Sequence, residues 1–227
     1  MRKRIAFILD LLGIHSFVNR IRFYVPNLIK SIRIKKHGVD ALSLLNAVFT
    51  ENNSFFWLEF GTLLGAHRDN GFIKHDFDID LGVLIHKKIP NLKEQLEMHG
   101  FEKSRELYIP EVGVIEETYV YKGVHIDIFY FYKDGGNIVC YSSIPDGDEH
   151  WSEVIDTKGM LMESFTFTDS GFGLQSFYDE KFYFPMDVDL HLRESYGNYK
   201  VRVRNWSDDK SPNRKKTNFR GLHSLRK

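Results

Sequence analysis

Three aspartates alternate with other residues in the stretch FIKHDFDIDLGVLI, residues 72–85. They are Asp76, Asp78 and Asp80, and the apolar residues that follow predict a β-strand over 78–85. Side chains two apart on a strand point to the same face, so Asp78 and Asp80 should project together, about 6–7 Å apart. Like charges on one face repel each other and are costly to bury without a counter-charge. The spacing therefore predicts that a hard divalent cation holds the two carboxylates.

A third carboxylate, Asp127, interrupts the otherwise apolar stretch VHIDIFYFY, residues 124–132. An aspartate in the middle of a buried strand is unusual. We therefore predict that this strand lies beside that of Asp78 and Asp80, and that all three are catalytic residues and ligands of Mg²⁺ or Mn²⁺. The structural alternative is that Asp-x-Asp belongs to a turn or cap and that Asp127 accepts hydrogen bonds from the backbone.

The preceding stretch EFGTLLGAHRD, residues 59–69, is typical of a strand end followed by a helix start. A bare backbone at Gly61 and the first helical N–H groups, beginning with Thr62, could receive a phosphate. Gly65 would permit close approach, and Arg68 could neutralise phosphate charge. The alternative is a simple turn and helix cap.

The remaining periodicities predict an α+β domain, a mixed β-sheet flanked by helices, and not a doubly wound nucleotide-binding fold. Helices are predicted over 39–50, 91–100 and 187–196, the last with Asp187 as N-cap. Strands are predicted over 55–60, 78–85, 112–121, 124–132, 137–143 and 163–170, with a hairpin turn at Lys122–Gly123.

Basic residues are concentrated at the two ends of the 227-residue chain, although its net charge is zero. Nine Lys and Arg residues occur in 1–36 and ten in 200–227, which leaves residues 37–199 with a net charge of −16. We predict a basic amphipathic helical segment over 1–40, a catalytic domain over 41–205 and a basic tail over 206–227. Basic ends can contact anionic lipid, or the first segment can pack on its own domain.

Location and partners follow from the same composition. Cys140 is the single cysteine, which excludes an internal disulfide and indicates a reducing, cytoplasmic location, with contact to the inner face of the membrane as an option. The candidate site is acidic and lacks a nucleic-acid recognition motif, so nucleic acid is not an expected partner.

The stretch GTLLGAHRDNGFIKHDFDIDLGV, residues 61–83, resembles the signature of the LicD/fukutin-related family. That signature runs Gly-Thr-Leu-Leu-Gly-Ala-x-Arg and then Gly-Phe-Ile-Pro-Trp-Asp-Asp-Asp-Ile-Asp, and residues 182–199 are similar to the family's closing segment. The resemblance implies a nucleotidyltransferase-like fold and transfer of phosphocholine, or another phospho-alcohol or sugar-phosphate group, from a CDP-activated donor to a glycan, as in lipopolysaccharide or capsule biosynthesis. It places Gly61, Thr62 and Gly65 at the donor phosphates.

This chain departs from the signature at three positions. Lys74 and His75 replace Pro and Trp, and Phe77 replaces the middle Asp. On a strand, residue 77 faces away from its two neighbours, so metal binding should survive. Lys74 and His75 could bind donor phosphate or, as the simpler expectation, pair with Asp76.

Histidine and tryptophan residues elsewhere in the chain offer further possible substrate contacts. In the loop 144–156, His150 and Trp151 could contact a choline cation, although a single Trp more often serves packing. His67 and His125 are expected to be structural, since no zinc-site spacing is present.

Two other functions use similar residues. A metal-dependent glycosyltransferase also holds a nucleotide sugar with Asp-x-Asp, but such enzymes place a nucleotide-binding βαβ unit before that motif. The second alternative, favoured by the three departures, is a catalytically inactive scaffold of the same fold.

Overall fold

The computed structural model describes residues 15–144, 159–203 and 206–225. Within them the helices are α1 (His15–Glu51), α2 (Phe60–Asp69), α3 (Leu92–Met98) and α4 (Val188–Tyr196). The strands are β1 (Trp57–Leu58), β2 (Asp78–Leu84), β3 (Phe101–Ile109), β4 (Gly113–Tyr121), β5 (Val124–Asp134), β6 (Asn137–Ile144), β7 (Met160–Thr168), β8 (Phe172–Phe177), β9 (Glu180–Pro185) and β10 (Arg214–Leu225). The mixture confirms the predicted α+β class.

All ten strands join one mixed sheet in the order β4-β3-β10-β7-β6-β5-β2-β1-β9-β8. A further pairing between β4 and β5 closes six of these strands into a ring. Strand β5 belongs to both parts of the sheet: its first eight residues pair with β2 or β4, and its last three residues pair with β6. The candidate site lies where β2, β4 and β5 meet.

The parallel pairing of β2 with β5 sets the relative height of the acidic residues. Asp78 pairs with His125 and Asp80 with Asp127. Strand β5 is fixed in turn by its hairpin with β4, which turns at Lys122 and Gly123 as predicted. Both turn residues have positive φ, 48° and 78°, as a tight hairpin turn requires.

Helix α1 packs one face against the sheet through a buried stripe at helical spacing, and this stripe joins the largest core cluster. The stripe consists of Ile34, Ala41, Leu42, Leu45, Val48 and Phe49. The helix runs without a break across residue 40, the boundary that the sequence suggested between a terminal segment and the domain. Among the described helices, none has an apolar stretch long enough to span a bilayer.

The structure differs from the predicted elements in several places. The strand expected over 55–60 is limited to β1, because Phe60 already begins α2 with a left-handed backbone, φ 41°. Strands β3, β8 and β9 were not predicted. Residues 214–225, expected to be a basic tail, form β10, whose backbone groups pair with β3 and β7 and so do not depend on an apolar pattern.

Candidate active site

Three aspartates converge where β2 and β5 run side by side. Asp78, Asp80 and Asp127 each offer a carboxylate oxygen, and these oxygens all lie within 4.8 Å of one another. The predicted convergence of the three carboxylates is therefore confirmed. An all-oxygen donor set of this kind suits a hard cation such as Mg²⁺ or Mn²⁺.

The first residues of α2 form hydrogen bonds with Asp80, so little of this helix terminus is available to bind a phosphate. The backbone N–H of Gly61 donates to Asp80 Oδ2 over 3.2 Å, and the Thr62 hydroxyl accepts the backbone N–H of Asp80 over 2.9 Å. Thr62 is 1% exposed. The structure therefore assigns Thr62 to orienting Asp80, because its hydroxyl faces the chain rather than a ligand, contrary to the sequence expectation.

Two glycines of α2 make room for the chain itself. A Cβ on Gly61 would lie 2.6 Å from Asp76 Oδ2, so the missing side chain lets that carboxylate approach the helix. A Cβ on Gly65 would lie 2.5 Å from the carbonyl oxygen of Gly71. Gly65 thus permits helix–loop packing and is not in contact with the cavity, whereas Gly61 lines it.

Burial and mutual repulsion raise the pKa values of the clustered carboxyl groups. Burial, reinforced by the charge of Asp78, raises the pKa of Asp76 to about 7. Burial and then Asp127 raise the pKa of Asp78 to about 6. The pKa of Asp80 is raised well above its ordinary value by burial and by its acidic neighbours. A bound cation would relieve this repulsion and favour the ionised forms.

Strands β3 and β4 add an arginine and a fourth acid that sequence reasoning missed. Arg105 forms an ion pair with the buried Glu116, and its Nη2 lies 3.7 Å from Asp127 Oδ1. The Thr118 hydroxyl donates to Asp127 Oδ1. Burial, with the charge of Asp127, raises the pKa of Glu116 to about 7. The sequence signal that could have indicated this acid is Glu116 itself, because it is a charged residue inside a largely apolar strand.

A buried glutamate joins the first turn of α2 to α4. Glu59, with no exposed surface, accepts hydrogen bonds from Trp57 Nε1 over 2.5 Å and from the Phe60 N–H over 3.1 Å. His191 Nε2 lies 2.8 Å from Glu59 Oε1, and its ring stacks on Phe167 with the centroids 4.1 Å apart. Glu59 and His191 thereby fix the helix start that holds Asp80, a contact across 132 positions that no local pattern indicates.

A cavity of about 860 Å³ opens above the carboxylates. Its wall also carries the cationic residues Arg68, Lys74, Arg105 and Arg202, together with His75. Arg68 Nε is buried, lies 3.7 Å from Asp69 Oδ2 and has no hydrogen-bond partner among the residues that the structure describes. This arrangement combines an acidic floor with basic walls, which suits a metal-bound polyphosphate.

The remaining predicted residues divide between the cavity and its surroundings. Lys74 and His75 line the cavity, and in the described part of the chain neither forms an ion pair with Asp76, contrary to the simpler expectation. The Lys74 carbonyl accepts the Ser31 hydroxyl over 2.7 Å, which ties this loop to α1. His67 and His125 do not line the cavity. His150 and Trp151 lie outside the described residues.

Comparison with known proteins agrees with the motif. Residues 53–158 match the family model described as LicD/FKTN/FKRP, nucleotidyltransferase domain. The proteins named ribitol-5-phosphate transferase FKTN from Mus musculus and Homo sapiens are 23% and 22% identical over 189 and 192 residues. Each alignment covers 82% of this chain and 38% of the relative. The resemblance to the LicD/fukutin-related family is therefore confirmed.

A bacterial protein gives a second comparison. An uncharacterised protein of Rickettsia prowazekii is 31% identical over 131 residues, which cover 54% of this chain and 44% of the relative. The chain thus spans less than half the length of these curated relatives.

Proposed function

We propose that this chain, whose residues 53–158 match the LicD/FKTN/FKRP family model, is a metal-dependent phosphotransferase of nucleotidyltransferase-like fold. It moves a phospho-alcohol or sugar-phosphate group, such as ribitol phosphate or phosphocholine, from a CDP-type donor to a glycan. The observation that carries the proposal is the convergence of Asp78, Asp80 and Asp127 at the floor of a cavity with basic walls. The name of the fukutin relatives, ribitol-5-phosphate transferase, supports the transfer of a phosphate-containing group.

Asp78, Asp80 and Asp127 would hold Mg²⁺ or Mn²⁺ through one carboxylate oxygen each. Such an ion neutralises diphosphate charge and lowers the pKa of a bound hydroxyl. Thr62 and Gly61 keep Asp80 oriented toward its two partners, and Thr118 does the same for Asp127. These fixed contacts preorganise the site before substrate binds.

Basic residues on the cavity wall suit the donor's diphosphate. Arg68 suits this role by its chemistry, because its buried Nε has no hydrogen-bond partner within the described residues and could donate to a phosphate oxygen. Lys74, exposed at the cavity rim, adds positive charge, and the exposed His75 beside it adds ring nitrogens that can form hydrogen bonds. Gly61 leaves the space in which the Asp76 carboxylate approaches the helix.

The chemistry is a displacement at phosphorus. The acceptor's hydroxyl oxygen forms a bond to the phosphorus of the transferred group, the bond from that phosphorus to the bridging oxygen breaks, and nucleoside monophosphate leaves. Asp127 takes the hydroxyl proton and releases it to solvent. Positioning and charge neutralisation supply most of the acceleration.

The test is release of CMP from CDP-ribitol and CDP-choline in the presence of Mn²⁺ and a glycan acceptor. Asp80→Asn and Asp127→Asn should each lower turnover at least about 100-fold while the protein stays folded. Asp134→Asn is the matched control, because Asp134 is exposed at the far end of the same strand. Normal turnover in either site variant would refute the assignment. A glycosidic product would indicate a glycosyltransferase, and absence of metal-dependent nucleotide binding would indicate an inactive scaffold.

The outward face of α1 supports a proposal of peripheral membrane contact. Leu28, Ile29 and Ile32 are 48%, 42% and 55% exposed, and the exposed Lys35 and Lys36 follow one turn later. Apolar side chains flanked by lysines suit an anionic bilayer surface. The cytoplasmic location itself remains a prediction of the cysteine content.

Cosedimentation with vesicles tests this contact. The chain should bind vesicles that contain phosphatidylglycerol more strongly than vesicles of phosphatidylcholine alone, and the double variant Ile29→Gln with Ile32→Gln should lose this binding. Leu174→Gln is the control, since Leu174 is 55% exposed on β8. Equal binding by all three proteins would exclude the proposed surface.

A further inference from the structure

The cavity has an aromatic wall that follows α4 and lies outside the residues matched by the family model. We call Tyr196 and Trp206 the C-terminal wall; their ring centroids are 5.2 Å apart at an angle of 63°, and both line the cavity. Phe60, Phe129 and Phe165 line the same cavity. The cavity therefore combines aromatic surfaces with the charged floor.

One polar group of this wall is the indole N–H of Trp206. Its Nε1 atom is buried and has no hydrogen-bond partner in the described part of the chain. A buried Trp N–H normally donates to an acceptor, and one that lacks a partner costs free energy. A ligand with an acceptor oxygen or nitrogen at this position would satisfy it.

The wall is held in place by β7 and β10. Arg214, at the start of β10, pairs with Phe165 in the sheet and forms an ion pair with the buried Glu163. Arg214 Nη1 also donates to the Asp209 carbonyl over 3.2 Å, which anchors the turn just after Trp206. The position of the wall is thus set by the sheet.

The wall adjoins the carboxylate centre. Tyr196 and Trp206 line the same cavity as the carboxylates of Asp78, Asp80 and Asp127. A nucleotide whose phosphates lie at the carboxylates can therefore reach the wall with its other end.

We propose that the C-terminal wall is the nucleobase subsite, in which a pyrimidine carbonyl or ring nitrogen accepts the Trp206 indole N–H. This inference rests on the proposed function. A pyrimidine has apolar faces for the surrounding aromatic rings and acceptors at its edge, whereas a trimethylammonium group has no acceptor for the indole N–H. The transferred group accordingly lies on the other side of the diphosphate.

Calorimetric titration with CMP and with ribose 5-phosphate, each with Mn²⁺, tests the subsite. Trp206→Phe keeps an aromatic ring and removes the N–H, so it should weaken CMP binding about 2- to 10-fold. Trp206→Ala should weaken it about tenfold or more. Neither variant should change the affinity for ribose 5-phosphate, which lacks the base. Tyr183→Phe, outside the cavity, is the control for removal of a polar group from an aromatic ring.

The outcomes separate the two proposals. The subsite is overturned if Trp206→Phe and Trp206→Ala both bind CMP with wild-type affinity, or if they lose as much affinity for ribose 5-phosphate as for CMP. In either case, metal-dependent CMP binding by the wild type leaves the proposed function intact. If the wild type binds neither ligand with Mn²⁺, both are overturned. Should Trp206→Ala fail to fold, the Trp206→Phe comparison decides.

Discussion

Replacing Asp78 by Asn should make the metal-free protein more stable at pH 8 and also remove its stabilisation by Mn²⁺. Burial, and after it the charge of Asp127, raises the pKa of Asp78 from 3.8 to about 6. Because the folded-state pKa lies above the unfolded one, the folded state binds this proton more tightly. The corresponding stability is fully present below about pH 3.8 and is lost as the pH rises through about 6.

The size of the effect follows from the same pKa values. One pKa unit corresponds to about 1.4 kcal/mol, so the ionised Asp78 lowers the free energy of unfolding by at most about 3 kcal/mol at pH 8. For a chain of this length, 1 kcal/mol changes the melting temperature by about 2–4 °C. Asp78→Asn should therefore raise the melting temperature in EDTA at pH 8 by up to about 6–12 °C, and by much less at pH 4.

Thermal unfolding at pH 4 and pH 8, with EDTA or with Mn²⁺, measures both parts of this prediction. Mn²⁺ should stabilise the wild type at pH 8, because metal binding requires ionised carboxylates. Asp134→Asn, on the exposed end of β5, should behave as the wild type does. The reasoning is refuted if Asp78→Asn melts at the wild-type temperature in EDTA at pH 8, or if Mn²⁺ stabilises it as much as the wild type.

Two further substitutions test packing and orientation. Gly65→Ala should lower the free energy of unfolding by about 1–3 kcal/mol in a urea titration, because its Cβ would lie 2.5 Å from the Gly71 carbonyl oxygen. Gly136→Ala is the control, because no atom lies within 4 Å of its Cβ. Equal free energies of unfolding for the two variants would contradict the close packing at Gly65. Thr118→Val should lower Mn²⁺ affinity or turnover about 10- to 100-fold by removing the hydroxyl that orients Asp127, and wild-type values for both would exclude that role.

Local patterns in the sequence were sufficient for much of the site. Alternation along a strand determined that Asp78 and Asp80 share a face, and an acid inside an apolar strand identified Asp127. The long motif around Gly61 indicated the resemblance to the LicD/fukutin-related family. These signals depend on neighbours in sequence, which is why they could be interpreted without coordinates.

Other features were decided by contacts between distant segments. The Gly61 N–H donates to the Asp80 carboxylate, and the Thr62 hydroxyl accepts the Asp80 N–H. The helix start therefore holds a carboxylate, whereas the sequence predicted that it binds phosphate. Arg105 reaches the site because β3 pairs with β4, and nothing near Arg105 in the sequence indicates that it does.

The sequence by itself determined which side chains face the same way on each strand, because the side-chain period of a strand is fixed by its backbone. Only the tertiary structure decided which strands become neighbours and at what register. It set Asp127 opposite Asp80, and it brought the basic C-terminal residues into the sheet as β10. Strands pair through backbone N–H and C=O groups, which every residue except proline carries in full. Because these groups are the same in every strand, the packing of the whole domain selects the partner of each strand.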